Sequence, residues 1–422
     1  MAEIYEDNFI YSSLVHYISR SFRRAYKRVE YSGLNNIPTD GTVIFSPNHA
    51  NTLMDALAVL SIQEKKMVFV ARADIFKNPA ARKFLTFIKI MPINRIRDGV
   101  DALKENDAII EKCVETLKAR VPFCILPEGT HRAQHSLLPL RKGIVRIAYE
   151  TYETVKDTMP IYILPIGLEY EDYFKYRSNL LVTVGKPIVL QDFIRSHEGL
   201  DLQKQMRQLL NELEEKMKEN IICIPSDSDY EDIWEATNLL YGREKVGDES
   251  LTHRMRWMKK TATKLGASRS GILGRVRTRK EWRKANGISL ESLSRRKKPW
   301  RVAMDIVLLI VLFPIFVLSA ILLLPALIAI AVIGKNLKDQ AFLNSIRFVA
   351  CSVLNPIVLL PIGIVLMFFI PWWIPPVAFL LSLFSPIAFY DWLEGMRRTR
   401  SDLRLAAAAR RNDRAHRCVR SS

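Results

Sequence analysis

Between residues 41 and 190, short apolar runs alternate with longer segments whose apolar residues recur every three or four positions. The short runs, rich in β-branched residues, predict strands at 42–46, 67–71, 89–93, 121–126, 161–167 and 180–184. The longer segments predict helices at 52–62, 79–88, 102–119 and 143–156. This alternation is typical of an α/β fold, with a mostly parallel sheet flanked by helices.

The pattern before this region is that of an amphipathic helix. Across residues 8–29, apolar side chains recur every four positions and a cluster of arginines and lysines follows them. Such a helix can lie in a membrane interface, with its cations toward lipid phosphates, and we favour that interpretation. The alternative is a helix that packs on its own domain.

Long uncharged stretches dominate the later part of the chain. A charged helix at 199–219 and a basic, polar region at 225–300, predicted to be helical, come first. Residues 306–334 and 348–390 then carry no charge and are long enough to cross a bilayer, with 371–376 as a turn in the second stretch. From two to four spans fit this pattern.

These patterns divide the chain into five segments. They are an interfacial helix (1–30), an α/β domain (31–220), a basic helical cytoplasmic region (221–300), a transmembrane region (301–395) and a basic tail (396–422). Basic residues precede, separate and follow the apolar stretches. The positive-inside rule therefore predicts that the α/β domain and both termini are cytoplasmic.

The chain's net charge of +18 narrows the possible partners. Such a charge suits nucleic acid, an anionic membrane surface or phosphorylated substrates. The sequence contains no zinc-finger spacing, RNA-binding aromatic motif or helix-turn-helix signature, so nucleic acid is not expected as a partner. Because the basic clusters lie beside apolar runs, anionic membrane lipid is the better prediction.

The first candidate chemical motif is Asn48-His49-Ala50-Asn51-Thr52-Leu53-Met54-Asp55, between a predicted strand and a predicted helix. The positive end of the helix dipole favours a neutral imidazole at His49, which can accept a proton from an alcohol. Asp55 can hold the other ring nitrogen and stabilise the charge that forms. Taken alone, the pair also fits a surface histidine beside an unrelated aspartate at a helix start.

A second motif, Ile125-Leu126-Pro127-Glu128-Gly129-Thr130-His131-Arg132, also follows a predicted strand. Glu128 and Gly129 would place a carboxylate and an accessible backbone at the rim of the sheet, where open α/β folds bind ligands. Several basic residues, Arg72, Arg95 and Arg132 among them, fall in loops predicted to face this rim. Arginine suits a phosphate ligand because its planar fork matches phosphate oxygens.

Together these blocks resemble the glycerolipid acyltransferases, which acylate glycerol-3-phosphate or lysophosphatidate. Ile93-Asn94-Arg95 matches the family's Ile-x-Arg block, and Leu164-Pro165-Ile166 is similar to its Val-Pro block. The resemblance covers about residues 30–195. It implies His49 and Asp55 as catalytic residues, and Arg72, Arg95, Glu128, Gly129, Thr130 and Arg132 as substrate-binding residues.

Two features depart from the common family pattern. His49 and Asp55 are separated by five residues rather than four, which is similar to the fungal-type glycerol-3-phosphate/dihydroxyacetone-phosphate acyltransferases. These relatives also carry hydrophobic segments after the catalytic domain, so glycerol-3-phosphate is the favoured acceptor and lysophosphatidate the second. His131 stands where the family usually has arginine. This shifts the expected phosphate contact toward Arg95.

The resemblance implies direct transfer from acyl-CoA or acyl-carrier protein to a phosphorylated glycerol acceptor, with no metal or cofactor. The sequence shows no serine or cysteine in a nucleophile-elbow pattern, which agrees with direct attack by the acceptor. Two other classes stay open. One is an inactive membrane scaffold or transporter-like protein, and the other is a basic RNA-associated membrane protein.

Overall fold

A computed structural model describes residues 9–94, 100–243, 250–268, 272–295 and 297–420. The chain divides into two compact units. The first runs to Ile221 and also includes Asp339–Ser345, which come from much later in the sequence. The second consists of Ile222–Lys338 and the residues from Ile346 onward.

The strands of the first unit form one mixed sheet. They are β1 (Arg28–Ser32), β2 (Thr42–Pro47), β3 (Val68–Arg72), β4 (Ile90–Ile93), β5 (Phe123–Cys124), β6 (Ile161–Tyr170), β7 (Asn179–Val184) and β8 (Ile188–Val189). Their order across the sheet is β1-β7-β6-β2-β5-β3-β4, and β8 pairs with β6. The run from β6 to β4 is parallel, whereas β7 and β8 are antiparallel to β6. The predicted fold class, a mostly parallel sheet with flanking helices, is confirmed.

The helices of the first unit cover this sheet. They are α1 (Phe9–Arg24), α2 (Leu53–Gln63), α3 (Pro79–Phe87), α4 (Val100–Lys118), α5 (Gly143–Val155), α6 (Leu190–Ser196) and α7 (Leu202–Glu219). Buried aliphatic and aromatic side chains of the sheet, including Ile44, Phe123 and Ile163, pack with those of α4, α5 and α7. Burial of this apolar surface is the main source of the unit's stability, and it fixes the strand ends that carry the site.

The N-terminal helix packs within its own unit. Tyr11, Val15 and Phe22 of α1 are buried, and the Tyr11 hydroxyl donates to the Met67 carbonyl over 3.5 Å. The helix ends at Arg24, because the chain enters β1 at Arg28, so the predicted helix 8–29 is too long. An interfacial role for this helix stays a prediction that would rest on the exposed Phe9 and Ile10.

The second unit is helical. After α8 (Tyr230–Arg243), α9 (Leu251–Ser268), α10 (Ile272–Ala285) and α11 (Leu290–Ser294) come α12 (Pro299–Leu322), α13 (Leu324–Lys335), α14 (Leu343–Val349), α15 (Asn355–Leu366), α16 (Ile374–Ser382) and α17 (Ser385–Arg420). Helix α14 begins in the segment that belongs to the first unit.

Within the described residues, two helical stretches are long and apolar enough to cross a bilayer, namely Pro299–Leu322 and Gln340–Leu366. A third span is possible if α16 and α17 act together, although they are bent by 52°. The predicted apolar region 306–334 is split at Leu323, two residues before Pro325, into α12 and α13. The length and apolar composition of the stretches Pro299–Leu322 and Gln340–Leu366 support membrane association.

Candidate active site

The site lies at the carboxyl ends of two neighbouring strands. β2 and β5 pair in parallel, with Ile44 opposite Phe123 and Phe45 opposite Cys124. The residues that follow the two strands, His49 and Glu128, therefore emerge at the same edge of the sheet. This is where α/β folds place their ligands.

His49 and Asp55 are in contact. The Nδ1 atom of His49 lies 2.8 Å from Oδ2 of Asp55, which is fully buried on the first turn of α2. The His49 side chain is 18% exposed, and its Nε2 makes no hydrogen bond to any described residue. The imidazole therefore has one nitrogen fixed by a carboxylate and the other available to a substrate, as a general base requires.

Asp55 is held rigidly by four donors in all. Its Oδ2 also accepts hydrogen bonds from the backbone N–H groups of Ala50, at 2.9 Å, and Asn51, at 2.7 Å. A carboxylate in the first turn of α2 thus satisfies backbone N–H groups of the turn just before the helix. Its Oδ1 accepts from the Tyr170 hydroxyl at 2.7 Å. Burial and the Asp55 charge raise the pKa of Tyr170 well above its ordinary value, so the phenol stays protonated and donates.

Glu128 joins the two motifs. Its Oε1 accepts from the His49 backbone N–H at 2.6 Å, and its Oε2 accepts from the Leu138 backbone N–H at 2.8 Å. Burial raises the pKa of Glu128 to about 7, although these two hydrogen bonds lower it. Both oxygens are engaged by backbone donors. The contact between Glu128 and an acceptor therefore stays a prediction, while its role in holding the His49 turn is visible.

Asn48 is a structural residue that sequence reasoning missed. Its side-chain amide forms two hydrogen bonds with Leu168 of β6. Oδ1 accepts from the Leu168 N–H at 2.7 Å, and Nδ2 donates to the Leu168 carbonyl at 3.2 Å. These bonds fix the start of the turn that carries His49. Nothing local in the sequence indicates them, since the partner lies 120 residues away.

The loop after Glu128 runs beside His49. Gly129 has a φ of +66°, a left-handed conformation that favours glycine, and both Gly129 and Thr130 are exposed. The Arg132 backbone N–H donates to the His49 carbonyl at 3.1 Å, and its Nη2 donates to Ser136 Oγ at 2.8 Å. Arg132 Nε is buried without an acceptor among the described residues, so this guanidinium retains binding capacity.

The other two predicted arginines are placed differently. Arg72 ends β3 at the same edge of the sheet, but its exposed guanidinium forms an ion pair with Asp74. Arg95 lies outside the described residues, directly after β4 and Asn94. The roles of Arg72 and Arg95 in phosphate binding therefore stay predictions.

The backbone N–H groups at residues 48–51 are not available as oxyanion donors. The Asn48 N–H donates to the Ile166 carbonyl, and the His49 N–H donates to the Glu128 carboxylate. The N–H groups of Ala50 and Asn51 both donate to the Asp55 carboxylate. All four are thus already engaged. An oxyanion donor would have to come from other groups at this edge.

His131 lies closer to the His49–Asp55 pair than the sequence suggested. Its ring centroid is 5.5 Å from that of His49, and its Nε2 lies 2.7 Å from Oδ2 of Asp339. The sequence indicated only a departure from the family pattern at His131 and gave no signal for Asp339, which lies 208 residues further on.

The acyltransferase family model matches residues 28–169, which include both motifs. This stretch is therefore similar to the acyltransferase family. The chain is 27% identical over 145 residues to the chloroplastic 1-acyl-sn-glycerol-3-phosphate acyltransferase BAT2 of Brassica napus. It is 25% identical over 161 residues to the mouse 1-acyl-sn-glycerol-3-phosphate acyltransferase alpha.

These similarities cover part of each protein. The match to the Brassica napus relative spans 34% of this chain and 39% of that protein. The match to the mouse relative spans 38% of this chain and 52% of that protein. The chain therefore matches about half the length of these relatives or less. The crystal structure of the 1-acyl-sn-glycerophosphate (LPA) acyltransferase PlsC of Thermotoga maritima is 20% identical, with a TM-score of 0.36, over 50% of this chain and 78% of that one.

Proposed function

We propose that this chain is a membrane-associated O-acyltransferase that moves a fatty acyl group from a thioester to a phosphorylated glycerol acceptor. The observation that carries the proposal is the His49–Asp55 contact of 2.8 Å at the carboxyl edge of a parallel sheet, within the acyltransferase domain. The available Nε2 of His49 suits it to activate a hydroxyl group.

The reaction is a direct transfer. His49 Nε2 takes the proton as the acceptor's hydroxyl oxygen attacks the thioester carbonyl carbon, and the buried Asp55 stabilises the imidazolium that forms. The tetrahedral intermediate then expels the thiolate as the C–S bond breaks. The thiolate takes the proton from His49, which returns to its starting state. The donor is acyl-CoA or acyl-carrier protein, and the step needs no metal or cofactor.

Two acceptors fit this chemistry. The names of the two relatives, both 1-acyl-sn-glycerol-3-phosphate acyltransferases, favour lysophosphatidate. The five-residue His49–Asp55 spacing and the later apolar helices are features shared with the fungal-type glycerol-3-phosphate enzymes, and these support glycerol-3-phosphate. We place lysophosphatidate first, because the similarity to the two relatives extends over 145 and 161 residues, whereas the His49–Asp55 spacing is one local feature.

The acceptor's phosphate would bind beside the loop that follows Glu128. Arg132 is tied to His49 through the backbone and has a buried Nε without an acceptor among the described residues, which supports it as a ligand. Arg72 would first have to leave Asp74. We retain Arg95 as the third candidate, although it lies outside the described residues.

Anionic lipid is proposed as a partner of the second unit. A cavity of about 450 Å³ there is lined by five cations, Arg295, Lys297, Lys298, Arg301 and Arg398, and by the carboxylates Glu291 and Asp402. Lys297 and Arg398 form ion pairs, whereas the other three cations have no carboxylate partner among the described residues. Arg295 and Arg301 lie over the rings of Tyr241 and Trp300, which leaves their N–H donors for an anion such as a lipid phosphate beside the start of α12.

We also propose that the acyltransferase domain and both termini face the cytoplasm. The basic residues that flank the apolar helices support this orientation through the positive-inside rule. Accessibility of introduced cysteines to an impermeant reagent in sealed vesicles would test it.

The decisive experiment compares acceptors and a catalytic variant. Purified chain in phospholipid nanodiscs is incubated with labelled acyl-CoA and either lysophosphatidate or glycerol-3-phosphate. His49→Ala should lose at least about a hundredfold in transfer, while His16→Ala, an exposed histidine paired with Glu64, should not. A loss below tenfold, with the protein intact, would rule out the mechanism.

Absence of transfer to either acceptor by the unaltered chain would favour the scaffold or transporter alternative.

A further inference from the structure

The cavity of the second unit contains carboxylates as well as cations, and this limits which anion it can hold. Its lining residues come from the end of α8, from α11, from the start of α12 and from α17. Its volume of about 450 Å³ is in the range of sites that hold a whole small ligand, so it has room for more than one phosphate group.

Two of the five cations are held by carboxylates. The Nζ of Lys297 lies 2.6 Å from an oxygen of Asp305 and 3.3 Å from an oxygen of Asp402. Arg398 lies 3.1 Å from the Glu291 carboxylate. These ion pairs join α17 to α11 and to the start of α12, so they form the walls of the cavity.

The remaining cations set the net charge of the cavity. Arg295, Lys298 and Arg301 have no carboxylate partner among the described residues, and Arg398 has a second one in Glu394 at 2.8 Å. In the part of the chain that the structure describes, the cavity and its ion-pair partners thus carry five positive and four negative charges. A ligand with a single negative charge neutralises this excess, whereas a second negative charge would meet the cavity's own carboxylates.

The start of α12 adds to the attraction for an anion. Lys298 precedes the first turn and provides no side-chain acceptor for the helix, and the first turn contains no acidic residue. The backbone N–H groups and the positive end of the dipole of a helix start are stabilised by a nearby anion. Here that anion would come from a ligand in the cavity.

The surface of α12 that follows favours a lipid over a soluble phosphate. Met304, Val307 and Leu308 are exposed, and they follow Arg301 by one to two helical turns. They belong to a stretch that is long and apolar enough to cross a bilayer. A lipid whose phosphate lies in the cavity can therefore place its acyl chains along this helix.

We propose that the cavity binds a phosphodiester lipid with one negative charge and a hydroxylated headgroup, as in phosphatidylglycerol. Arg295, Lys298 and Arg301 bind the phosphate. Glu291 and Asp402 accept hydrogen bonds from the headgroup hydroxyls, because an ionised carboxylate has about four acceptor sites and its ion pair leaves some of them free. The proposal rests on the anionic-lipid partner proposed above and narrows it to one class of headgroup.

The first test compares three lipids with the same short acyl chains on the detergent-solubilised full chain at pH 7.5. Phosphatidylglycerol and phosphatidylmethanol carry the same charge and differ in their hydroxyl groups, whereas phosphatidic acid carries a charge of about −2. Phosphatidylglycerol should bind about tenfold more tightly than either of the others, because hydroxyl-to-carboxylate hydrogen bonds are charge-assisted. Equal affinities for phosphatidylglycerol and phosphatidylmethanol would overturn the proposal.

A fourth ligand separates a lipid site from a site for a soluble phosphodiester. Glycerophosphoglycerol has the same headgroup and phosphate without acyl chains. It should bind at least tenfold more weakly than phosphatidylglycerol, because it makes no contact with the apolar surface of α12. Equal binding of the two would contradict the assignment of a lipid.

The carboxylate Glu291 allows a sharper test. Glu291→Gln removes a negative charge from the cavity wall and keeps the shape of the side chain. The preference for phosphatidylglycerol over phosphatidylmethanol should fall to about threefold or less, and the affinity for phosphatidic acid should rise. Glu394→Gln is the matched control, because Glu394 also pairs with Arg398 but does not line the cavity. It should leave the preference unchanged, and an equal loss of preference in both variants would overturn the proposal.

An arginine pair separates this proposal from the broader one. Arg295 and Arg254 both lie over the Tyr241 ring, at 5.8 and 5.2 Å from its centroid, and only Arg295 lines the cavity. Arg295→Gln should weaken all three lipids about fivefold, and Arg254→Gln should weaken none of them. No effect of Arg295→Gln would count against any anionic lipid in the cavity. A fivefold loss without a preference for phosphatidylglycerol would count against the hydroxylated headgroup alone, and neither result depends on acyl transfer.

Discussion

The hydroxyl oxygens of Thr52 and Ser345 lie 2.6 Å apart, although 293 residues separate them in sequence. Thr52 ends the turn that carries His49 and has a φ of +49°, which is strained for a β-branched residue. Its hydroxyl is buried and also lies 3.5 Å from the Ala341 carbonyl. The strained turn is thus supported by a segment far away in the chain.

We expect Ser345→Ala to destabilise the first unit by about 1 kcal/mol, because it removes a buried hydrogen bond. The Thr52 hydroxyl can still turn toward Ala341, so the loss should not be larger. Thermal unfolding of the detergent-solubilised chain measures this effect. Ser196→Ala is the control, since the Ser196 hydroxyl bonds the Phe193 carbonyl of its own helix and the nearby His197, both local partners. Equal melting temperatures for Ser345→Ala and the unaltered chain would show that the contact contributes nothing.

A second prediction concerns Tyr170, which donates to Asp55 over 2.7 Å. Tyr170→Phe leaves one oxygen of a fully buried carboxylate without its donor, which costs on the order of 1–3 kcal/mol. Because Asp55 then holds His49 less firmly, kcat should fall by about tenfold with little change in KM. Steady-state kinetics with saturating acceptor measure both quantities.

Tyr162→Phe is the control for this substitution. The Tyr162 hydroxyl also donates to an aspartate, Asp40, at 3.0 Å, but that pair is exposed. It should leave kcat unchanged. If Tyr170→Phe retains full kcat, the Tyr170 bond is not needed to position Asp55 for catalysis.

The sequence allowed the local part of this site to be predicted and not the distant part. His49 and Asp55 lie within one strand–turn–helix, so the spacing alone places both side chains at one helix start. Tyr170 and Asp339 complete the arrangement through the sheet order and through a segment between two apolar helices. No periodicity encodes such pairings, because they depend on the packing of the whole unit.

The fold, too, was predictable in part. The strands from β2 to β7 were predicted within one to three residues, except that β5 is limited to Phe123–Cys124 where 121–126 was expected. Pro122, directly before β5, has no backbone N–H to donate to a sheet. β1 was missed because the four-residue apolar spacing of α1 continues to Tyr26, past the end of the helix at Arg24.

A third prediction follows from Glu128, whose pKa is about 7 against an ordinary value of 4.5. The folded state binds this proton more tightly than the unfolded state. The group's contribution to stability is therefore complete below pH 4.5 and is lost as the pH rises to about 7, on the order of 3 kcal/mol in total.

Glu128→Gln should remove this part of the pH dependence. The free energy of unfolding, measured with denaturant at several pH values, should fall less between pH 5 and pH 7.5 in the variant. At pH 5, however, the variant should be less stable by about 1–3 kcal/mol, because one end of the amide presents a donor to the His49 or Leu138 N–H. Parallel pH profiles for both proteins would show that Glu128 does not titrate in this range.

A fourth prediction concerns the basic cavity of the second unit. Lys298→Ala with Arg301→Ala removes two cations of this cavity that have no carboxylate partner in the described part of the chain, and each cation near a lipid phosphate is worth about 1 kcal/mol. The affinity of the detergent-solubilised chain for short-chain phosphatidic acid should therefore fall by about thirtyfold. Titration at low and high salt should show a weaker salt dependence in the variant, because fewer ionic contacts are formed.

The control for the cavity variant removes the same charge elsewhere. Lys204 and Arg207 are exposed on α7 of the first unit, so Lys204→Ala with Arg207→Ala lowers the net charge equally. If both double variants weaken lipid binding to the same extent, the effect comes from overall charge and the cavity is no specific site. A loss confined to Lys298 and Arg301 would instead identify the start of α12 as the place where the chain holds an anionic lipid.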